Sequence, residues 1–125
     1  MDAAQALADL TEISSQVEAA VLFDEGGGVS GSTLPEAEAA ALARLAGDLL
    51  ERASALATGR EVTQIEASTP AGSVFVVREG KRRIAATTAP DPTTGLVFYD
   101  LKSALHGSAP APKRRRTAAK ESDEA

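Results

Sequence analysis

The sequence has few of the residues on which disulfide frameworks and metal centres depend. Its 125 residues include no cysteine, which excludes disulfide bonds and thiolate zinc sites. A single histidine, His106, leaves little material for a histidine-based catalytic or metal centre. The composition therefore argues against a disulfide-stapled domain and against a zinc enzyme, and we expect no cofactor and no metal.

Long apolar runs are also missing. No stretch approaches the roughly 18 apolar residues that a membrane-spanning helix requires, so we expect no stable membrane insertion. The first ten residues, MDAAQALADL, are acidic and helical in pattern. They lack the basic start and the long apolar core of a signal peptide, and we therefore predict a cytoplasmic protein.

Charge of one sign dominates most of the chain. Residues 1–107 carry a formal net charge of −7, whereas residues 108–125 carry +2. An acidic body argues against nucleic acid as the main partner. The C-terminal stretch, which includes KRRR at 113–116, has no large apolar residue whose burial would offset its ordering entropy. We predict one domain over 1–107 and a disordered, solvated charged tail over 108–125.

Apolar periodicity predicts eight elements in the order α-β-β-α-β-β-β-α. Asp2 is positioned to cap the first helix. The short links between the later strands indicate antiparallel pairing. We therefore predict an α/β (α+β) sandwich built on an antiparallel sheet. The predicted helices cover residues 2–15, 34–58 (with a stop at Gly59) and 94–106, and the predicted strands cover 17–24, 29–32, 60–68, 73–79 and 82–89.

Three glycines after the first predicted strand, Gly26, Gly28 and Gly31, spell G-x-G-x-x-G. A dinucleotide-binding fold needs the third glycine at the opening of a helix, but a capping box from Thr33 to Glu36 predicts a later helix start. A P-loop needs a lysine at the position of Ser32. We interpret Gly26, Gly27 and Gly28 as the residues of a hairpin turn, where a positive φ is required, with anion binding by backbone N–H groups as the alternative.

The long helix over 34–58 carries two apolar stripes. A helix on the outside of a small sheet needs only one, so we assign the stripe of smaller residues to contact with the same helix of a second copy, in an isologous homodimer. The alternative is an alanine-rich surface helix, because alanine is the best helix former. The first stripe consists of Leu42, Leu45, Leu49, Ala53 and Leu56, and the second of Ala39, Ala43, Gly47, Leu50, Ser54 and Ala57.

Four charged residues of this helix, Arg44, Asp48, Glu51 and Arg52, fall within an arc of about 100°. Side chains of opposite charge at i, i+4 spacing pair with one another on a solvated face, and the residues alone favour that interpretation. The alternative is a charged platform for a partner.

A second group of cations surrounds the turn before the last strand. Arg78, Lys81, Arg82 and Arg83 lie close together in the sequence. We interpret them as an ordinary solvated turn rather than as a site for a phosphate-bearing ligand.

With this element order, the chain resembles the roadblock / dynein light chain family in its bacterial branch. Three stretches carry the resemblance: ALADLTEI (6–13), AAVLFDEGGGVSGSTLPEAEAAALARLAGDLL (19–50) and VFVVREGKRRIAATTAPDPTTGLVFYDLKSAL (74–105). The resemblance implies a five-stranded antiparallel sheet, with the long helix on one face and the two terminal helices on the other. It also implies a homodimer through the long helices and the sheet edge at 61–67, which adds Thr63 and Ile65 to the interface.

The same resemblance implies a function that is not enzymatic. Such a domain would be a platform that binds a Ras-like small GTPase and regulates it, and we assign partner binding to Arg44, Asp48, Glu51 and Arg52. A structural adaptor of the same fold with no GTPase partner is the alternative. A small-ligand sensor is a third class, because sandwiches of this kind also host ligand sites.

Overall fold

The computed structural model describes residues 2–56 and 60–108 and confirms the predicted element order. All five strands form one antiparallel sheet in the order β2-β1-β5-β4-β3. The predictions for Gly59 and for the tail beyond Ser108 lie outside the described residues. The elements are α1 (Ala3–Ile13), β1 (Val17–Asp24), β2 (Val29–Ser32), α2 (Glu36–Leu56), β3 (Gln64–Thr69), β4 (Gly72–Glu79), β5 (Arg82–Thr88) and α3 (Thr94–Gly107).

Two apolar layers hold the helices to the sheet, as the predicted sandwich requires. On one face Leu22, Phe75 and Ile84 pack in a layer with residues of α1 and α3. On the other face Val21 and Val76 pack in a layer with residues of α2. Neighbouring strand residues thus serve opposite layers, because successive side chains of a strand point to opposite faces. No helix within 2–56 and 60–108 combines the length and the apolarity that crossing a bilayer requires.

Helix starts show where local sequence signals hold and where they fail. The side chain of Asp2 accepts a hydrogen bond from the Gln5 N–H at 2.8 Å, so the predicted cap of α1 is confirmed. The predicted capping box of α2 is wrong. The Thr33 hydroxyl instead accepts from the Ala20 N–H at 2.9 Å, which ties it to β1, and α2 begins at Glu36.

The β1–β2 connection is a hairpin, as the glycine pattern predicted. The Asp24 carboxylate accepts from the N–H groups of Gly26 and Gly28, and Gly27 has a φ of 87°, which favours glycine. Gly31 lies inside β2. A Cβ there would stand 3.0 Å from the Cβ of Ala3, so this glycine permits close packing of α1 on the sheet. It does not open the long helix.

Helix α3 offers a matched test of the layer that it shares with α1. Leu101 is fully buried, whereas Leu96 on the same helix is half exposed. We expect Leu101→Ala to lower the free energy of unfolding by about 2–5 kcal/mol, since it removes buried methyl groups and leaves a cavity. Leu96→Ala should cost under about 1 kcal/mol. Urea denaturation measures both, and equal costs would contradict the assigned packing.

Candidate functional site: the outer face of the long helix

The structure turns α2 about its axis relative to the prediction, so that the stripe of smaller residues and only part of the leucine stripe pack toward the sheet. Ala39, Ala43 and Leu50 are buried in the layer against the sheet, whereas Leu45 is 49% exposed and Leu56 is 84% exposed. Side chains that are buried between α2 and the sheet cannot contact a second copy of the chain. The assignment of Ala39, Ala43 and Leu50 to the dimer interface is therefore wrong. The small residues face the core, and part of the leucine stripe faces outward.

The other helix residues of the predicted interface have mixed surroundings. Ser54 is half-buried, and its hydroxyl accepts from the Val62 N–H and from Nη2 of Arg78, so it serves contacts within the chain. Gly47 is also half-buried, but a Cβ added there would meet nothing within 4 Å. Ala57 lies outside the described residues.

Strand β3 is an edge of the sheet, in agreement with the edge that the resemblance implied. The predicted segment 61–67 begins before the strand, which starts at Gln64. Thr63 is exposed, and its carbonyl accepts from the Arg78 N–H at 2.8 Å. Ile65 is half-buried and packs against the α2 layer. An edge strand presents unpaired backbone groups to any partner.

The four charged residues assigned to partner binding, Arg44, Asp48, Glu51 and Arg52, are all exposed. In the part of the chain that the structure describes, the single contact within 4 Å between a basic and an acidic side chain joins His106 to Glu79 at 3.9 Å, away from this helix. The arrangement therefore lacks the i, i+4 ion pairs that a self-paired face would contain. These four side chains carry their charges at the surface.

A cleft of about 300 Å³ lies between α2 and the β1–β2 turn. We call it the α2 cleft. It brings together three of the four predicted residues, while Arg52 is not in its lining. The α2 cleft is lined by Phe23, Asp24, Glu25, Gly26 and Gly27 from β1 and the turn, by Ala40, Ala43, Arg44, Gly47, Asp48 and Glu51 from α2, and by Arg83 from β5.

Sequence reasoning missed Arg83, which it placed in a solvated turn. Arg83 is only 6% exposed. Its neighbour Arg82 points to the opposite face, where it donates to the Leu105 carbonyl and to the Ser108 hydroxyl. Arg78 donates to the Val62 carbonyl. Of the four cations only Lys81 is exposed. Two adjacent arginines in a strand must point to opposite faces, and that signal could have placed one of them under α2.

The chemical groups of the α2 cleft are a buried guanidinium and exposed charges of both signs. Within the described ranges no group of three or more His, Asp or Glu side chains could hold a metal ion. The α2 cleft offers a buried guanidinium below a rim of exposed charges. Such a surface can bind a polar or charged segment that is complementary to it.

Comparison with solved structures identifies the class of fold. The chain resembles a Roadblock/LC7 domain from Streptomyces avermitilis, with a TM-score of 0.76, 18% sequence identity, and coverage of 86% of this chain and 94% of that one. It also resembles the gliding protein MglB from Thermus thermophilus, with a TM-score of 0.72, 19% identity, and coverage of 86% and 85%. These likenesses confirm the resemblance to roadblock domains at the level of the fold.

A third similar structure belongs to another class. It is LokiProfilin1 in a complex with rabbit actin, with a TM-score of 0.57, 12% identity, and coverage of 83% of this chain and 92% of that one. The sequence itself matches no protein-family model and no curated protein. The architecture is thus shared by proteins whose sequences differ widely from this one.

Gly47 offers a test of how the open space of the α2 cleft affects the free energy of unfolding. Because a Cβ at this helical position meets nothing within 4 Å, we expect Gly47→Ala to raise the free energy of unfolding by about 0.5–1 kcal/mol. Gly31→Ala is the control. Its Cβ would press against Ala3, so stability should fall. Urea titration of both variants decides, and a loss of stability in Gly47→Ala would show that this wall of the cleft is already filled.

Proposed function

We propose that this chain is a non-enzymatic, homodimeric platform that binds a Ras-like small GTPase and regulates it. The observation that carries the proposal is the outer face of α2, where four charged side chains stand exposed and unpaired with one another beside a cleft. The roadblock fold supports the proposal, because the family resemblance seen in the sequence implies this kind of partner.

The proposed platform acts by binding alone. A partner shifts a conformational equilibrium only through its different affinities for the two states. The switch segments of a small GTPase are ordered in one nucleotide state and released in the other. Arg44, Asp48, Glu51 and Arg52 would contact such segments and favour one of their arrangements, so the domain itself need contribute no catalytic group.

The proposed dimer uses a different side of α2 from the one first assigned, together with the sheet edge that was already part of the prediction. Leu45, Leu49 and Leu56 lie along one side of α2, next to its core-facing residues, and Leu45 and Leu56 are exposed. Leu49 packs in the same layer as Ile65 of the edge strand β3. An exposed apolar stripe beside an unpaired sheet edge suits pairing with an identical surface. We propose this stripe and β3 as the isologous interface.

A structural adaptor without a GTPase partner is the second candidate. The observation in its favour is the likeness to LokiProfilin1, a protein of similar architecture whose structure was solved in a complex with actin. A shared fold does not fix the partner. The adaptor would use the same outer face of α2.

The GTPase proposal can be tested by retention from native cells. The full chain, tagged, is incubated with lysate containing either GDP or a non-hydrolysable GTP analogue, and retained proteins are identified by mass. We expect a small GTPase in one nucleotide state only. The double variant Arg44→Ala with Arg52→Ala should bind it at least ~10-fold more weakly, a loss of about 1.4 kcal/mol.

The double variant Lys81→Ala with Lys102→Ala is the matched control. It also removes two positive charges, but from exposed positions outside α2. This variant should retain the GTPase as well as the original chain does. Recovery of non-GTPase proteins alone under both nucleotide conditions would favour the adaptor.

The dimer can be tested by sedimentation equilibrium. We expect the chain to sediment at twice its mass of 12.8 kDa and Leu45→Glu to sediment as a monomer, because a carboxylate would be buried without a partner in the interface. Ala55→Glu places the same charge at an exposed α2 position away from the stripe and should remain dimeric. If Leu45→Glu stays dimeric, the proposed stripe is wrong.

A further inference from the structure

Arg83 is a buried cation in the lining of the α2 cleft. The residue is 6% exposed, and its Nε is a buried donor without a hydrogen-bond acceptor. Across residues 2–56 and 60–108 no carboxylate forms an ion pair with it. Buried charges are normally paired, since removing a charge from water is costly. This guanidinium therefore lacks the anionic partner that its position calls for.

Among the described residues, the neighbours of Arg83 do not supply that partner. Arg78 stands directly opposite Arg83 on the neighbouring strand, and like charges in opposed positions destabilise a sheet. The Asp24 carboxylate, in the cleft wall, already accepts from two N–H groups of its own turn. Sites that break a packing rule without compensation within the fold are often functional.

Arg83 lines the α2 cleft, so a ligand in the cleft would lie next to it. The helix wall of the cleft is built partly of small residues, Ala40, Ala43 and Gly47, and its opposite wall includes Gly26 and Gly27. A side chain can therefore enter between helix and turn. A carboxylate is the group that matches a guanidinium best, because the two form parallel charge-assisted hydrogen bonds.

The charged residues at the rim of the cleft restrict the other charges that a ligand can have. Glu25, Asp48 and Glu51 all line it, against a single rim cation, Arg44. A free phosphate or other compact dianion would meet these carboxylates as it approached and be repelled. A carboxylate flanked by positive charges would satisfy Arg83 and the acidic rim together.

We propose that the α2 cleft receives an aspartate or glutamate side chain of a partner protein, whose carboxylate binds the guanidinium of Arg83. Lysine or arginine residues flanking that acid pair with Asp48 and Glu51. Arg83 is then a specificity-determining residue. The inference rests on the proposed function only in taking the outer face of α2 as the docking surface for a protein. It adds the sequence character of the segment that docks.

The test uses nuclear magnetic resonance on the full, ¹⁵N-labelled chain. The Nε–H resonance of Arg83 is assigned by its disappearance in Arg83→Gln. Two peptide probes, acetyl-Lys-Glu-Lys-amide and acetyl-Lys-Gln-Lys-amide, are titrated to millimolar concentration. We expect the glutamate peptide to shift this resonance saturably and the glutamine peptide to shift it at least tenfold less.

Matched variants and a small anion complete the titration. Arg82→Gln, which alters the neighbouring arginine on the opposite face, should keep the response of Arg83. Equal shifts from both peptides, or none, would overturn the proposal. A response to acetate as strong as that to the glutamate peptide would assign the cleft to a free carboxylate and overturn the claim of a protein segment.

A stability measurement tests the premise that Arg83 has no partner inside the fold. Arg83→Met keeps much of the side chain and removes the charge. We expect its Tm to rise, because an uncompensated buried cation is lost, while the peptide response disappears. A fall in Tm would show that the guanidinium is satisfied within the chain and would overturn the proposal.

The peptide titration requires no GTPase, so the two proposals can fail separately. A peptide response without retention of any GTPase would leave the cleft assignment standing and remove the GTPase. Retention of a GTPase by the original chain and by Arg83→Met alike, with no peptide response, would remove the cleft assignment alone.

Discussion

The close packing of the small-residue face of α2 on the sheet is the constraint on which the rest of the site depends. Ala39, Ala43 and Ala46 lie in one buried layer with Ala85 of β5 and the valines of the inner strands. Small side chains on both surfaces let the helix lie near the sheet. Once that face is inward, the rotation of α2 about its axis is fixed. Its charged arc then stands beside the hairpin turn, and Leu45 and Leu56 point outward.

The α2 cleft follows from the same packing. A helix seated on small residues, with Gly47 on the side toward the turn, leaves a space that larger side chains would have filled. Arg83 lines that space because it alternates with Arg82 along β5, and the pleat sends the two guanidinium groups to opposite faces. Arg82 finds acceptors at the end of α3, whereas the Nε of Arg83 is buried without one. One strand thus holds a structural arginine beside one that the fold leaves unsatisfied.

Fold class and element order could be read from the sequence because they depend on local signals. The unbroken apolar run from Ala19 to Phe23 predicted a strand covered on both faces, and β1 is buried along that run between β2 and β5. The cap at Asp2 and the hairpin turn before β2 are also local events. By contrast, the Thr33 hydroxyl could have capped α2 or accepted a hydrogen bond from β1. It accepts from the Ala20 N–H because the fold brings β1 next to it.

The candidate site was predictable only in part. Sequence periodicity grouped Arg44, Asp48, Glu51 and Arg52 on one side of the helix, and all four are exposed. It could not decide which of two apolar stripes faces the sheet, because periodicity gives the angles between residues but not the rotation of the helix against its neighbours. Periodicity also could not place Arg83 beside that helix face, because Arg83 belongs to β5 and the cleft brings together residues of separate elements. The elements, their order and the charged arc follow from local patterns in the amino-acid sequence. Tertiary packing decided the orientation of α2, the α2 cleft and the burial of Arg83, because each depends on how surfaces distant in the chain fit together.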